Sequence, residues 1–292
     1  MELRVLHYFL TVTREQSISG AAQALHLSQP TLSRQLKDLE DELGKQLFIR
    51  GNRKVTLTED GMLLRKRAEE ILELVRRTED EIVFSDETIA GNIAIGTGET
   101  DAFRFLARAA QRLQTEYPQI HFQISSGDGI NVMEELDKGL IDFGLLFGDV
   151  DTSKYDGLKI PYQDTWGVLM RRDAPLADKA AVTPQDLWDQ PLILSRQTLA
   201  STNRLLSWIN CEPEKLNIAA TYSLLFNGSL MVEEGMGYAL CLDKIVNVTG
   251  NSSLCFRPLN PTLEIGMTLV WKKYQIFTKA SEKFLSVLRE IN

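Results

Sequence analysis

The sequence predicts a multidomain chain: a small, mainly α-helical head carrying a β-hairpin wing, one long helix, and an α/β body of two lobes. Three observations lead there. The head holds three short stretches of helical periodicity, each with its own start or stop signal. From Glu59 to about Glu87 the chain is helical in character and free of proline. Beyond Gly91, strand-like and helix-like runs alternate as in a parallel α/β sheet. A length of 292 residues suits two or three such domains better than one core.

Leu3, Leu6, Phe9, Leu10 and Thr13 recur at helical spacing and predict a first amphipathic helix. Ser17 suits the N-cap of a second, in which Ala21, Ala22 and Leu25 face inward. The alanine pair is small enough to let another helix approach closely. Ser28 suits the N-cap of a third, with Pro30 in the first turn, where its missing N–H costs nothing. Leu32, Leu36, Leu39 and Leu43 fall at intervals of four, three and four, which predicts one buried stripe. Thr31, Ser33, Arg34 and Lys37 lie away from it, and Gly44 ends the helix as a left-handed residue does. QLFIRGNRKVTLT then holds two short β-prone runs around a Gly-Asn-Arg turn, a hairpin or wing. In the long helix, Leu64, Ala68, Ile71, Val75, Thr78 and Ile82 step by four and three, a seam suited to pairing with a second helix. The same stripe would also serve a helix lying on its own domain.

In the body, NIAIGTG reads as a strand ending in glycines, followed by a helix over 101–116. A strand over 120–126, a helix over 131–139 and a strand over 142–147 complete a first series. The second series comprises strands at 165–170, 191–195, 217–222 and 238–242, with helices near 199–208 and 224–235. EIGMTLVW (264–271) and a last helix from Thr278 close the chain. The expected boundaries are 1–58 for the head, 59–90 for the long helix and 91–292 for the body. Within the body, one lobe takes 91–161 and 267–292 and the other 162–266.

Hydrophobic residues at 43% and charged residues at 25% are ordinary for a soluble globular chain. The net charge of -8 argues superficially against nucleic acid, but residues 1–60 hold eight basic and eight acidic side chains, so the acid excess belongs to the body. No apolar run approaches the roughly 18 residues of a membrane span. The stretch MELRVLHYFLTVTREQ has no charged head, apolar run and cleavage site, so a cytoplasmic protein is expected. Cys211, Cys241 and Cys255 are too scattered for a disulfide framework or a zinc site, and neither metal nor cofactor is expected. His7, His26 and His121 are isolated, and no Ser–His–Asp pattern, phosphate loop or dinucleotide fingerprint is present, which argues against an enzyme.

The run AAQALHLSQPTLSRQLKDLEDELGKQLFIRGNRKVTLTEDG resembles the N-terminal signature of the LysR-type transcriptional regulators. Its Ala-Ala, Ser-Gln-Pro, Leu-Glu, Leu-Gly, Leu-Phe-x-Arg and Leu-Thr elements keep their order and spacing over residues 1–61, and the likeness is looser over the rest. Asp60 departs from the small residue that often precedes the glycine, although a carboxylate is favourable at a helix start. The resemblance implies a winged helix-turn-helix head, a linker helix that dimerises, and an effector-binding domain with two lobes of periplasmic-binding-protein type. It also implies dimers that assemble into tetramers on double-stranded promoter DNA. RNA polymerase is a further candidate partner; a membrane is not.

Readout in the major groove needs short hydrogen-bonding groups and a few Arg or Lys side chains on an exposed helix face. Gln29, Ser33 and Arg34 are candidates for base edges, and Pro30 and Thr31 for thymine methyls. Lys37 suits phosphate, and Arg50, Arg53 and Lys54 of the wing suit phosphates or the minor groove. Leu64, Ala68, Ile71, Val75 and Ile82 are the candidate dimer seam. Small ligands favour the cleft between α/β lobes, where GTGETD (96–101), SSGDG (125–129) and LSRQTLAS (194–201) are expected to meet. By resemblance, Thr97, Gly98, Thr100, Ser126 and Ser195 match places where the family binds its effector, and Asn227 lies near another. Arg196 offers a partner for a ligand carboxylate, whereas Glu99, Asp101 and Asp128 argue for a polar, zwitterionic or cationic ligand. The plain alternative is that these residues merely cap helices. Rival readings are a redox-sensing regulator using Cys211, an enzyme, and a solute-binding protein, which would need an export signal.

Overall fold

The computed structural model describes residues 1–51, 54–83, 89–148, 150–200 and 204–292. Contacts divide the chain into two compact units, Met1–Val83 and Phe84–Asn292.

The first unit begins with α1 (Leu3–Glu15), α2 (Ile18–Ala24) and α3 (Gln29–Leu43). Ser17 Oγ accepts the Gly20 N–H at 3.1 Å and Ser28 Oγ the Thr31 N–H at 3.3 Å, so both expected N-caps form. Gly44 stops α3 with φ 63°. Leu6, Phe9, Val12, Ala21, Ala22, Leu32, Leu36 and Leu39 close a shared core. Leu43 does not join it and is 40% exposed; the chain turns at Gly44, and Leu47 and Phe48 fill the core instead. Leu3 is likewise outside, because α1 buries Val5 and Val12 beside Leu6 and Phe9.

Strands β1 (Phe48–Arg50) and β2 (Val55–Leu57) pair antiparallel to form the wing. One carboxylate ties it to α3: Glu40 Oε1 accepts from Leu47 N at 2.7 Å and Phe48 N at 3.1 Å. The Phe9 and Phe48 rings, 5.1 Å apart, add an apolar tie. The long α4 (Glu59–Val83) starts hard against this junction. Thr58 Oγ1 accepts from Gly61 N at 3.0 Å and donates to Gln46 O at 2.7 Å. A Cβ at Gly61 would stand 2.1 Å from Leu47 O, so only glycine lets the helix approach here. Further along, α4 packs on α1. Ala68 is wholly buried there, and Leu64 and Ile71 pack against the same core. This corrects the expected seam: its first half is covered by its own unit, so Ala68 is not available to a second chain. Val75 is half-buried and Ile82 is exposed.

The second unit opens with β3 (Gly91–Thr97), which pairs in parallel with β4 (Ile120–Ser126) and β5 (Phe143–Phe147). Helices α5 (Phe103–Glu116) and α6 (Gly129–Asp137) join these strands. A single strand, β6 (Tyr155–Arg171), then runs through both lobes, where the sequence predicted only its end at 165–170. Gly157 and Pro161 hide its first half from a search for alternating apolar residues. The second lobe adds β7 (Leu192–Ser195), α7 (Arg196–Ala200), α8 (Arg204–Ile209), β8 (Ile218–Tyr222), α9 (Leu225–Glu233), β9 (Tyr238–Leu242) and β10 (Leu254–Pro258). The helix expected near 199–208 falls on α7 and α8, with 201–203 outside the described residues, and β10 was not expected. The chain returns along β11 (Glu264–Lys272) and ends in α10 (Lys279–Ile291), capped by Thr278.

Strands β6 and β11 pair antiparallel along their shared length, and β6 also pairs with β9 and β10 of the second lobe. Their register shifts where Gly266 faces Gln163 but Met267 faces Ile160, so the bulge falls at the passage between lobes. One core gathers Ile93, Phe105, Phe143, Leu269 and Phe284, the other Val168, Leu192, Leu205 and Leu240.

Gly61→Ala should destabilise the first unit by about 1–3 kcal/mol through the clash with Leu47 O. Urea unfolding checks this, and an unchanged midpoint would show that the contact can relax.

Candidate functional sites: an exposed helix face and an interlobe cavity

With Leu32, Leu36 and Leu39 buried, α3 turns Gln29, Pro30, Thr31, Arg34 and Lys37 to solvent, while Ser33 is half-covered. The Thr31 hydroxyl lies 2.7 Å from Ser28 Oγ, so the side chain's methyl group is the part left for outside contact. Arg34 is 83% exposed and its nearest carboxylate partner, Asp38, is 3.9 Å away, a loose pair. Lys54 at the start of β2 is exposed. Arg50 lies on β1, but its side chain, like the whole of Arg53, is outside the described residues.

In the second unit a cavity of about 830 Å³ opens between the lobes. Gly98, Glu99, Asp128 and Phe147 line it from one lobe, and Ser195, Thr198 and Tyr222 from the other. Two carboxylates of the first lobe cross it. Glu99 accepts the N–H of Leu225, in the first turn of α9. Asp128 accepts from the Arg196 guanidinium and, at 3.0 Å, from Asn131 N, capping α6. Burial pushes the Asp128 carboxyl up, but the hydrogen bonds from Arg196 and Asn131 N hold it below its ordinary value. Nearby, Asp164 is almost wholly buried on β6, and desolvation raises its carboxyl above the usual range.

Of the residues expected at the effector site, Gly98 and Ser195 line the cavity. The others have different employment. Thr97 Oγ1 donates to Gly98 O at 2.8 Å, and Thr100 Oγ1 donates to Asp164 Oδ2 at 2.6 Å while accepting from Ala102 N. Ser126 and Asn227 are exposed outside the lining. Arg196 meets Asp128 of its own chain where a ligand carboxylate was expected. Sequence reasoning missed Trp166, Thr198 and Tyr222. Thr198 stood inside LSRQTLAS without a feature to mark it, and Trp166 and Tyr222 reach the cleft only through strand pairing.

Residues 3–62 match the family described as "Bacterial regulatory helix-turn-helix protein, lysR family", and residues 86–291 match the "LysR substrate binding domain". The chain belongs to the LysR family. It is a LysR-type transcriptional regulator with a helix-turn-helix head and an effector-binding body. It is 41% identical over 143 residues to the regulator BsdA of Bacillus subtilis (strain 168), a stretch that spans 49% of either protein. It is 34% identical over 203 residues to IlvY of Escherichia coli (strain K12), covering 68% of this chain and 67% of that one. Among solved structures, full-length CbnR complexed with its target DNA covers 100% of both chains with a TM-score of 0.76 at 18% identity, a likeness of fold.

In this LysR-type body the Asp128–Arg196 pair joins the lobes. Asp128→Asn should lower its stability by about 1–3 kcal/mol at neutral pH. Since the folded carboxyl titrates below its ordinary 3.8, the advantage of Asp over Asn is complete above that value and is lost as pH falls through the lower folded one. Urea titrations of both proteins from neutral pH into acid measure this, and coincident curves at neutral pH would count against the pair.

Proposed function

We propose that this regulator binds double-stranded promoter DNA sequence-specifically through α3, with the wing gripping the flanking backbone. The observation that carries the reading is the two-sidedness of α3: leucines locked in the core, and Gln29, Arg34 and Lys37 exposed opposite them. Gln29, Ser33 and Arg34 read base edges, Pro30 and Thr31 meet thymine methyls, and Lys37, Arg50, Arg53 and Lys54 meet phosphates or the minor groove. The fold likeness to CbnR, solved on its target DNA, supports this use of the head.

The working unit is a dimer, pairing further into a tetramer on an inverted-repeat operator. Leu63, Leu74 and Ile82, exposed on α4, are the apolar surface offered to a second copy, with Leu64, Ile71 and Val75 at its margin. A small-molecule effector occupies the interlobe cavity, at Gly98 and Ser195 among others, and resets the dimers relative to one another, altering DNA bending or polymerase contact.

On this reading the protein acts on DNA in the cytoplasm as a regulator and not as an enzyme, which its match to the regulatory helix-turn-helix family supports. A thiol switch has less support. All three cysteines are free, and burial pushes the Cys241 thiol far up, away from the reactive thiolate.

Arg34→Ala should weaken binding to the cognate site by about 1–3 kcal/mol while sparing random DNA. Titrations against both duplexes at one salt concentration decide it: an equal loss on each would make Arg34 a phosphate contact and remove its role in readout.

A further inference from the structure

The places in the interlobe cavity where a ligand anion would bind are already filled by the chain's own carboxylates. An anion seeks a guanidinium or the N–H groups at a helix start. Arg196 is taken by Asp128, which also caps α6. The first N–H of the nine-residue α9, that of Leu225, is taken by Glu99. Among the described residues of the lining, six are carboxylates (Glu99, Asp128, Glu134, Asp137, Asp151 and Glu264) and Arg204 is the sole cation. Lys138, 3.7 Å from Glu134, offsets part of this charge. The remaining excess draws cations toward the cleft and repels anions.

The rest of the wall is apolar and aromatic, with Phe147, Trp166 and Tyr222 beside Ile130, Met133 and Leu146. Such a wall demands an apolar body, and its ring faces favour a cation close by. Thr198 adds an independent sign. It lines the cavity, is 1% exposed, and its hydroxyl meets no hydrogen-bond partner among the described residues. Buried hydroxyls in native proteins are almost always paired. An ammonium N–H would supply the partner, and Glu99 the countercharge.

Resting on the reading of this cavity as the effector site, we infer that its ligand is a protonated amine with an apolar, aromatic-sized body. Glu99 and Thr198 take the ammonium end, and Phe147 and Trp166 take the body.

Calorimetric titration of the full chain with phenylbutylamine, phenylbutanol and phenylbutyrate, three probes that share one body, tests the charge. A fluorescence change that disappears in Trp166→Phe reports filling of the cavity whatever the probe's charge. The amine should bind about tenfold more tightly than the alcohol, and the acid more weakly than either. Glu99→Gln keeps an oxygen for Leu225 N but loses the charge, and should weaken the amine about tenfold while sparing the alcohol. Thr198→Val should also weaken the amine. If all three probes bind alike with the Trp166 signal, the cavity stands as the effector site and the amine assignment falls. Tighter binding of the acid, or no binding of the amine, overturns the assignment. Amine binding that lacks the Trp166 signal and ignores Glu99→Gln removes the cavity reading as well.

Discussion

The burial of Leu32, Leu36 and Leu39 in one cluster with Phe9, Ala21 and Ala22 fixes one side of α3, and with it the bearing of every side chain on the other. Alanines at the crossing allow a close approach that larger residues would prevent. The small core therefore holds the helix without help from its outer face, which is left free to carry polar groups. The wing depends on the same helix. The N–H groups of Leu47 and Phe48 at its start end on Glu40, so the hairpin and the exposed helix face have one common support.

The body solves a different problem, that of keeping a cleft open between lobes that share backbone. Because β6 pairs with β11 on one side and with β9 and β10 on the other, the lobes are joined through one strand, with a bulge in its pairing to β11 at the crossing. On the cavity side, Glu99 and Asp128 reach across from the first lobe to α9 and Arg196 of the second. Those contacts satisfy polar groups that would otherwise stay unpaired at the cavity wall. They also settle which charges remain for anything that enters.

Much of this was legible from residue order. The caps at Ser17, Ser28 and Gly44 are local chemistry, and each formed as its spacing implied. The alternation of strand and helix beyond Gly91 was equally plain. What failed did so where tertiary contact decides. Leu43 continues the leucine spacing but projects past the end of the core, and Ala68 continues the α4 stripe but lies under α1. The first half of β6 lacks alternation because glycine and proline interrupt it. In the cavity, glycine and serine at strand ends were found because such ends commonly border ligands. Thr100 and Arg196 share the same chemistry, yet Asp164 and Asp128 claim them, and no rule of spacing shows a partner 64 or 68 residues away.

The junction at Gly61 has a mechanical consequence. The first turn of α4 touches the carbonyl of Leu47, and Thr58 bonds to Gln46 on one side and Gly61 on the other. Wing and rod therefore meet without a linker between them, and the 25 residues of α4 form a lever held at the hairpin. At about 1.5 Å per residue that lever is roughly 37 Å long. A side chain at Gly61 would push that lever off the Leu47 carbonyl and loosen its hold on the hairpin.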